Sequence, residues 1–172
     1  NLITGVADAY FDSIPVIFIT GQVNTYEFKY DKPIRQQGFQ EMDVVNIVSS
    51  ITKYAKLVDK AEDIIFELEK AYEIAISGRK GPVLLDIPMN IQRTLLDENN
   101  LKTYIKEEIL EKDEFSFEEI KNLLFESERP LFLIGGGINC LTSEIKKELS
   151  EYLIETQIPV ISSLMGKGEI QE

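Results

Sequence analysis

The chain has 172 residues, and its 44% apolar content is enough to bury the core of one or two domains. Acidic residues (30) outnumber basic ones (18), and the net charge of −12 argues against nucleic acid or an anionic membrane surface as a partner. Histidine is absent, so His-ligated metal sites and histidine general bases are excluded within these residues; the single Cys140 cannot close an internal disulfide, which fits a reducing, cytoplasmic setting.

No apolar run approaches the roughly 18 residues that a membrane span needs. Residues 1–10 predict a helix with Leu2, Val6, Ala9 and Tyr10 on one face. Pro15 leads into a strand over 16–19, and its unbroken apolar run predicts a parallel strand covered on both faces. The strand ends at Thr20-Gly21, followed by Gln22, where backbone can approach a ligand; a plain tight turn is the alternative. Residues 24–37 are polar and without period. A loop of that length is either solvated surface or substrate-facing, and Lys29, Lys32 and Arg35 are its basic residues.

A short helix is expected over 41–50 and a strand over 54–58. Asp59 and Glu62 have the spacing of a capping box. The apolar stripe Ile64, Ile65, Leu68, Ala71, Tyr72, Ala75 and Ile76 then predicts a helix that ends at 76. Gly78 suits a left-handed helix cap, Gly81 and Pro82 open a short buried strand over 83–87, and Pro88 closes it.

Apolar density falls between 92 and 115, which reads as a solvated acidic linker with room for a short helix near 105–110. A helix over 116–125, capped by Ser116 with Glu119, precedes a strand over 131–134 and the Gly135-Gly136-Gly137 turn. A helix over 143–155, with Ile145, Leu149 and Leu153 inward, and a strand over 159–161 complete a βαβ unit. Cys140 reads as a small buried residue. The fold class expected is α/β: two partial parallel-sheet domains with flanking helices, 1–92 and 116–172, joined by the acidic linker 93–115.

Four stretches carry a family resemblance, in order. They are Asn1 to Tyr10, Ser13 to Val23, Gly38-Phe39-Gln40-Glu41 with Ile51-Thr52-Lys53, and Ser77 to Pro88 with its Leu-Leu-Asp-Ile-Pro core. Together they resemble thiamine diphosphate enzymes of the acetolactate synthase type, from the end of the pyrimidine-binding domain to the start of the middle domain. The resemblance implies a segment of a larger enzyme, inactive alone. The family's catalytic glutamate would lie before Asn1, and its Gly-Asp-Gly…Asn-Asn motif for magnesium and diphosphate beyond Glu172. The enzyme implied depends on thiamine diphosphate and Mg2+, decarboxylates a 2-oxo acid and ligates the remainder to an acceptor carbonyl, and works as a homodimer or homotetramer.

The resemblance also assigns residues. Gln40 matches a glutamine that lines the cleft near cofactor and substrate, where an amide can donate to a developing oxyanion. A surface or capping glutamine is the alternative. Phe39 would wall the same cleft and exclude water, or serve as ordinary core. Gly21 and Gln22 are candidate cofactor contacts. Gly135, Gly136 and Gly137 match a turn that holds a flavin dinucleotide (FAD) in some relatives; bare N–H groups before a helix suit phosphate, but Cys140 stands where a third fingerprint glycine would fall. Lys167 resembles a residue of a loop near the cofactor, or is simply an exposed lysine.

Two features depart from the family. A lysine usually follows Asp-Ile-Pro, and here it is Met89; a Gly-Thr-Asp-Ala segment usually precedes Phe-Gln-Glu, and here it is Asp31 to Gly38. These resemble an acetolactate synthase-like branch associated with surface-sugar pathways. A non-catalytic flavin- or nucleotide-binding module and a structural segment are the rival functions.

Overall fold

The run Val83-Leu84-Leu85-Asp86 sits at the centre of the first sheet because its side chains are buried on both faces. The structure, a computed structural model, describes residues 1–97, 101–106 and 117–170. The chain divides into two units, Asn1–Ile109 and Leu110–Glu172, each described by itself.

The first unit contains α1 (Leu2–Phe11), β1 (Ile17–Gln22), α2 (Val44–Val48), β2 (Tyr54–Leu57), α3 (Ile64–Ile76), β3 (Val83–Pro88) and α4 (Met89–Gln92). The sheet order is β1-β3-β2, all parallel, with Ile17 opposite Val83 and Tyr54 opposite Val83. The period of two on β3 divides the core. Val83 and Leu85 pack with Val58, Ala71 and Ala75 under α3, while Leu84 packs with Val6, Val44 and Val48 under α1 and α2. Burial of Leu84 and Leu85 stabilises the sheet by roughly 1.5–3 kcal/mol each.

The expectation that β1 is covered on both faces does not hold. Phe18 turns into the core with Leu84, but α3 covers the β2–β3 side of the opposite face, and Ile19 beyond it is 61% exposed. The Asp59–Glu62 capping box does not form either. The chain enters α3 through a 3-10 turn, Ala61–Asp63, that no side chain caps. Gly78 adopts φ +50, the left-handed conformation expected after the helix. Lys53 Nζ donates to the Ile74 and Ser77 carbonyls at that end of α3.

The second unit contains α5 (Phe117–Glu126), β4 (Phe132–Ile134), α6 (Ser143–Thr156) and β5 (Val160–Ser162). β4 and β5 pair in parallel, as a βαβ unit requires. Leu153 of α6 is buried, Leu149 half-buried, and Ile145, expected inward, is exposed. It sits in the first turn of α6. The proposed Ser116 cap and most of the 105–110 helix fall outside the described residues.

Candidate functional site

The carboxyl ends of β1 and β3 meet in register, with Thr20 opposite Asp86. The Asp86 carboxyl is 1% exposed, and among the described residues no cation is bonded to it. Two neutral donors hold it: Thr20 Oγ1 at 2.7 Å and Gln22 Nε2 at 2.8 Å. Burial pushes the Asp86 carboxyl above the ordinary range and nearby Asp43 adds to it, against the opposing effect of the two donors.

Gln22 Nε2 also donates to the Met42 carbonyl at 2.7 Å, and Gln22 Oε1 accepts from Val23 N at 3.0 Å. Both N–H groups of its amide and one lone pair of its oxygen are engaged inside the fold. Gln22 thereby ties the sheet to the following loop. Gly21 lies within β1 rather than in a turn beyond it; a Cβ there would meet only Gln92 Nε2, at 3.6 Å.

The loop from Val23 to Asp43 is bonded along its length. Asn24 and Glu27 form a capping box around a 3-10 turn, Thr25–Glu27. Asn90, two residues past Pro88, accepts from Thr25 N and donates to Thr25 Oγ1, both at 2.9 Å. Phe28 is buried and packs edge-on against Tyr30 at 5.0 Å. Gly38 is buried, and a Cβ there would lie 3.0 Å from the Glu27 carbonyl and from a Val23 methyl, so a larger residue would have to displace these neighbours. Glu41 accepts three backbone N–H groups, from Lys29, Gln37 and Gly38. Burial pushes its carboxyl up, but those three bonds and the Lys29 charge outweigh this and hold it below the usual value.

Against this fixed frame the two leading candidates face outward. Phe39 is 87% exposed, and Gln40 is exposed with its backbone at φ +61. Phe39 is not core. A separate cleft of about 420 Å³ is lined by Asp86, Asp43, Asn46, Lys29 and Lys32 among others. Phe39, Gln40 and Arg35 are not among its lining residues.

In the second unit Gly135, Gly136 and Gly137 follow β4. They lead into a 3-10 turn, Gly136–Cys140, and α6 starts only at Ser143 with its own Thr142 side chain on the Ile145 N–H. A Cβ on Gly136 would meet Met165 at 3.0 Å, and one on Gly166 would strike the Ile134 carbonyl at 2.4 Å. This glycine packing seats one loop on another. Gly135 and Gly137 face open space. Cys140, expected buried, is exposed because the 3-10 turn carries it away from Ile138, the buried residue of that turn. Lys167 is exposed.

Residues 1–47 match the family model described as thiamine pyrophosphate enzyme, N-terminal TPP binding domain. That match spans α1, β1 and the loop through Phe39, Gln40 and Glu41. The chain is 40% identical to the chloroplastic acetolactate synthase of Arabidopsis thaliana, an alignment covering 98% of this chain and 24% of that protein. It is 35% identical to the acetolactate synthase isozyme 2 large subunit of Escherichia coli, over 99% of this chain and 30% of the relative. A probable acetolactate synthase large subunit of Methanocaldococcus jannaschii is 37% identical over 98% of the chain and 28% of its own length. The chain belongs to the acetolactate synthase-like thiamine pyrophosphate enzymes. This acetolactate synthase-like chain spans 24–30% of the length of these curated relatives.

Some residues of this chain's site had no assigned role in the sequence. Asp86 could have been found as the lone acid inside an apolar strand, since a buried charge demands partners. The Glu41 carboxylate bonds to backbone alone, and Asn90 bonds to the backbone and hydroxyl of distant Thr25, which leaves no residue pattern to read. Among the described residues no helix is long and apolar enough to cross a membrane.

Proposed function

We propose that this chain supplies one wall of a thiamine diphosphate- and magnesium-dependent active site that decarboxylates a 2-oxo acid and ligates the remainder to an acceptor carbonyl. The observation that carries it is the outward presentation of Phe39 and Gln40 on a loop pinned by Gln22 and Glu41. The names and alignments of the relatives support the reaction class.

The residues here fit an aromatic and amide wall against an organic cofactor. Among the described residues there is no cluster of three or more His, Cys, Asp or Glu arranged for a metal. Bound thiamine diphosphate supplies the electron sink that 2-oxo acid decarboxylation requires. The Gln40 amide donates to the anionic oxygen of the substrate and, having no titrating proton, keeps it throughout. The Phe39 ring excludes water from that side of the reacting carbon. An outward wall needs an opposite face, and a second subunit in a homodimer or homotetramer provides it. The first domain, 1–92, would be the end of the pyrimidine-binding domain, and 116–172 the start of the middle domain, where Gly135 and Gly137 leave backbone open to a flavin. The setting proposed is the cytoplasm.

The test is turnover of pyruvate by the protein that carries this chain, with thiamine diphosphate and Mg2+ added. Release of carbon dioxide with acetolactate formation is expected, and Gln40→Ala should lower kcat by about 100-fold. Unchanged kinetics would remove Gln40 from the mechanism. Inactivity toward all 2-oxo acids would favour a structural segment.

A further inference from the structure

We propose that Glu41 is a positioning residue that holds Phe39 and Gln40 in their presented geometry, a role that rests on the function assigned above to those two side chains. Glu41 follows Gln40 directly in the chain. Its Oε1 accepts from Lys29 N at 2.9 Å, and its Oε2 accepts from Gln37 N at 2.7 Å and Gly38 N at 2.9 Å. Lys29 is 12 residues upstream, while Gln37 and Gly38 are 4 and 3 upstream. One carboxylate thereby closes the loop at both ends.

All three donors are backbone groups, so the carboxylate fixes the path of the chain and not merely a rotamer. Bonds of this kind, with an ionised acceptor, are about twice as strong as neutral ones. Between Gly38 and Glu41 the chain reverses, with Glu41 N bonded to the Gly38 carbonyl at 3.3 Å. That reversal places Gln40 at φ +61, a conformation a non-glycine residue keeps only where its surroundings over-determine it. Glu41 supplies that determination from one side, and the sheet supplies it from the other through Gln22 and the Met42 carbonyl. Among the described residues no other side chain bonds to both Lys29 N and the 37–38 backbone.

Glutamine at this position keeps the size but sets an N–H2 group against N–H donors, and alanine removes the acceptor altogether. Both variants should be made in the full protein, alone and with Gln40→Ala. Amide exchange at Lys29, Gln37 and Gly38 is expected to accelerate by about 10-fold or more in both. The value of kcat/KM for pyruvate should fall by about 10-fold or more, and Glu41→Ala added to Gln40→Ala should produce no further loss, because coupled residues are not additive. Glu41→Asp, which keeps the charge, should recover part of both signals. Unchanged amide protection in Glu41→Gln and Glu41→Ala would overturn the proposal, as would additive losses in the double variant. A wild-type protein that turns over no 2-oxo acid would defeat the functional assignment separately, and amide exchange would then decide alone whether the clamp exists.

Discussion

Gln40 occupies a left-handed backbone conformation that costs an L residue about 1–2 kcal/mol. Glycine at this position would relieve that cost, while losing about 0.5–1 kcal/mol to its greater freedom in the unfolded chain. The two effects nearly cancel. Gln40→Gly should therefore leave the thermal midpoint within a few degrees of the parent protein while turnover falls as far as in Gln40→Ala. A glycine variant that retains full activity would show that only the turn matters at this position. A variant that unfolds early would show that the amide itself holds the fold.

At the scale of the element, β3 combines burial with a functional end. Val83, Leu84 and Leu85 fill the core, and one residue later Asp86 is buried among donors from β1. Asp86→Leu would leave the Thr20 hydroxyl and one Gln22 N–H without their acceptor, at about 1–3 kcal/mol for each group left unpaired. Asp86→Asn preserves an acceptor for Thr20 and should cost less; denaturant midpoints measure both. The pH dependence has a definite sign. Because the folded pKa is raised, the folded state binds more protons, so this group's contribution is fullest below the ordinary carboxylate pKa and falls as pH rises through the folded value. The wild type should lose stability relative to Asp86→Asn on that rise. Lys29 and Lys32 line the same cleft, so the comparison is best made at constant ionic strength.

The same elements indicate what the sequence could reveal. β3 and α3 were legible because an unbroken apolar run and a 3.6-residue stripe each have one stable solution. The composition of β1 gave its strand but not its exposed Ile19, because coverage depends on which helix reaches that face. The Asp59–Glu62 spacing was present without its capping geometry, since the chain enters α3 by a 3-10 turn. In the site, Phe39 and Gln40 were nominated through family resemblance. The bonding of Gln22, Glu41 and Asp86 is visible only when residues from 22 to 86 are brought together.

At the scale of the whole molecule, the segment leaving the first unit is more than a wet, charged tether. Lys102 pairs with Asp63 at 2.5 Å, Tyr104 N donates to Glu69 Oε2 at 2.7 Å, and Lys106 pairs with Glu73 at 2.8 Å. The Tyr104 ring meets Phe66 edge-on at 5.6 Å. Alternate residues of an extended segment thus meet Asp63, Phe66, Glu69 and Glu73, which recur along α3 at spacings of three to four. Both lysine ammonium groups are largely exposed, so their ion pairs are weak and screened by salt. The aromatic contact and the backbone bond are not screened in this way. Tyr104→Ala should therefore raise the tryptic cleavage rate after Lys102 and Lys106 by about 10-fold, as the loss of roughly 1.4 kcal/mol of closure predicts. Raising the salt concentration should increase cleavage of the wild type by less than that. The reverse order would make the lysine pairs the principal fastening and Tyr104 an accessory to them.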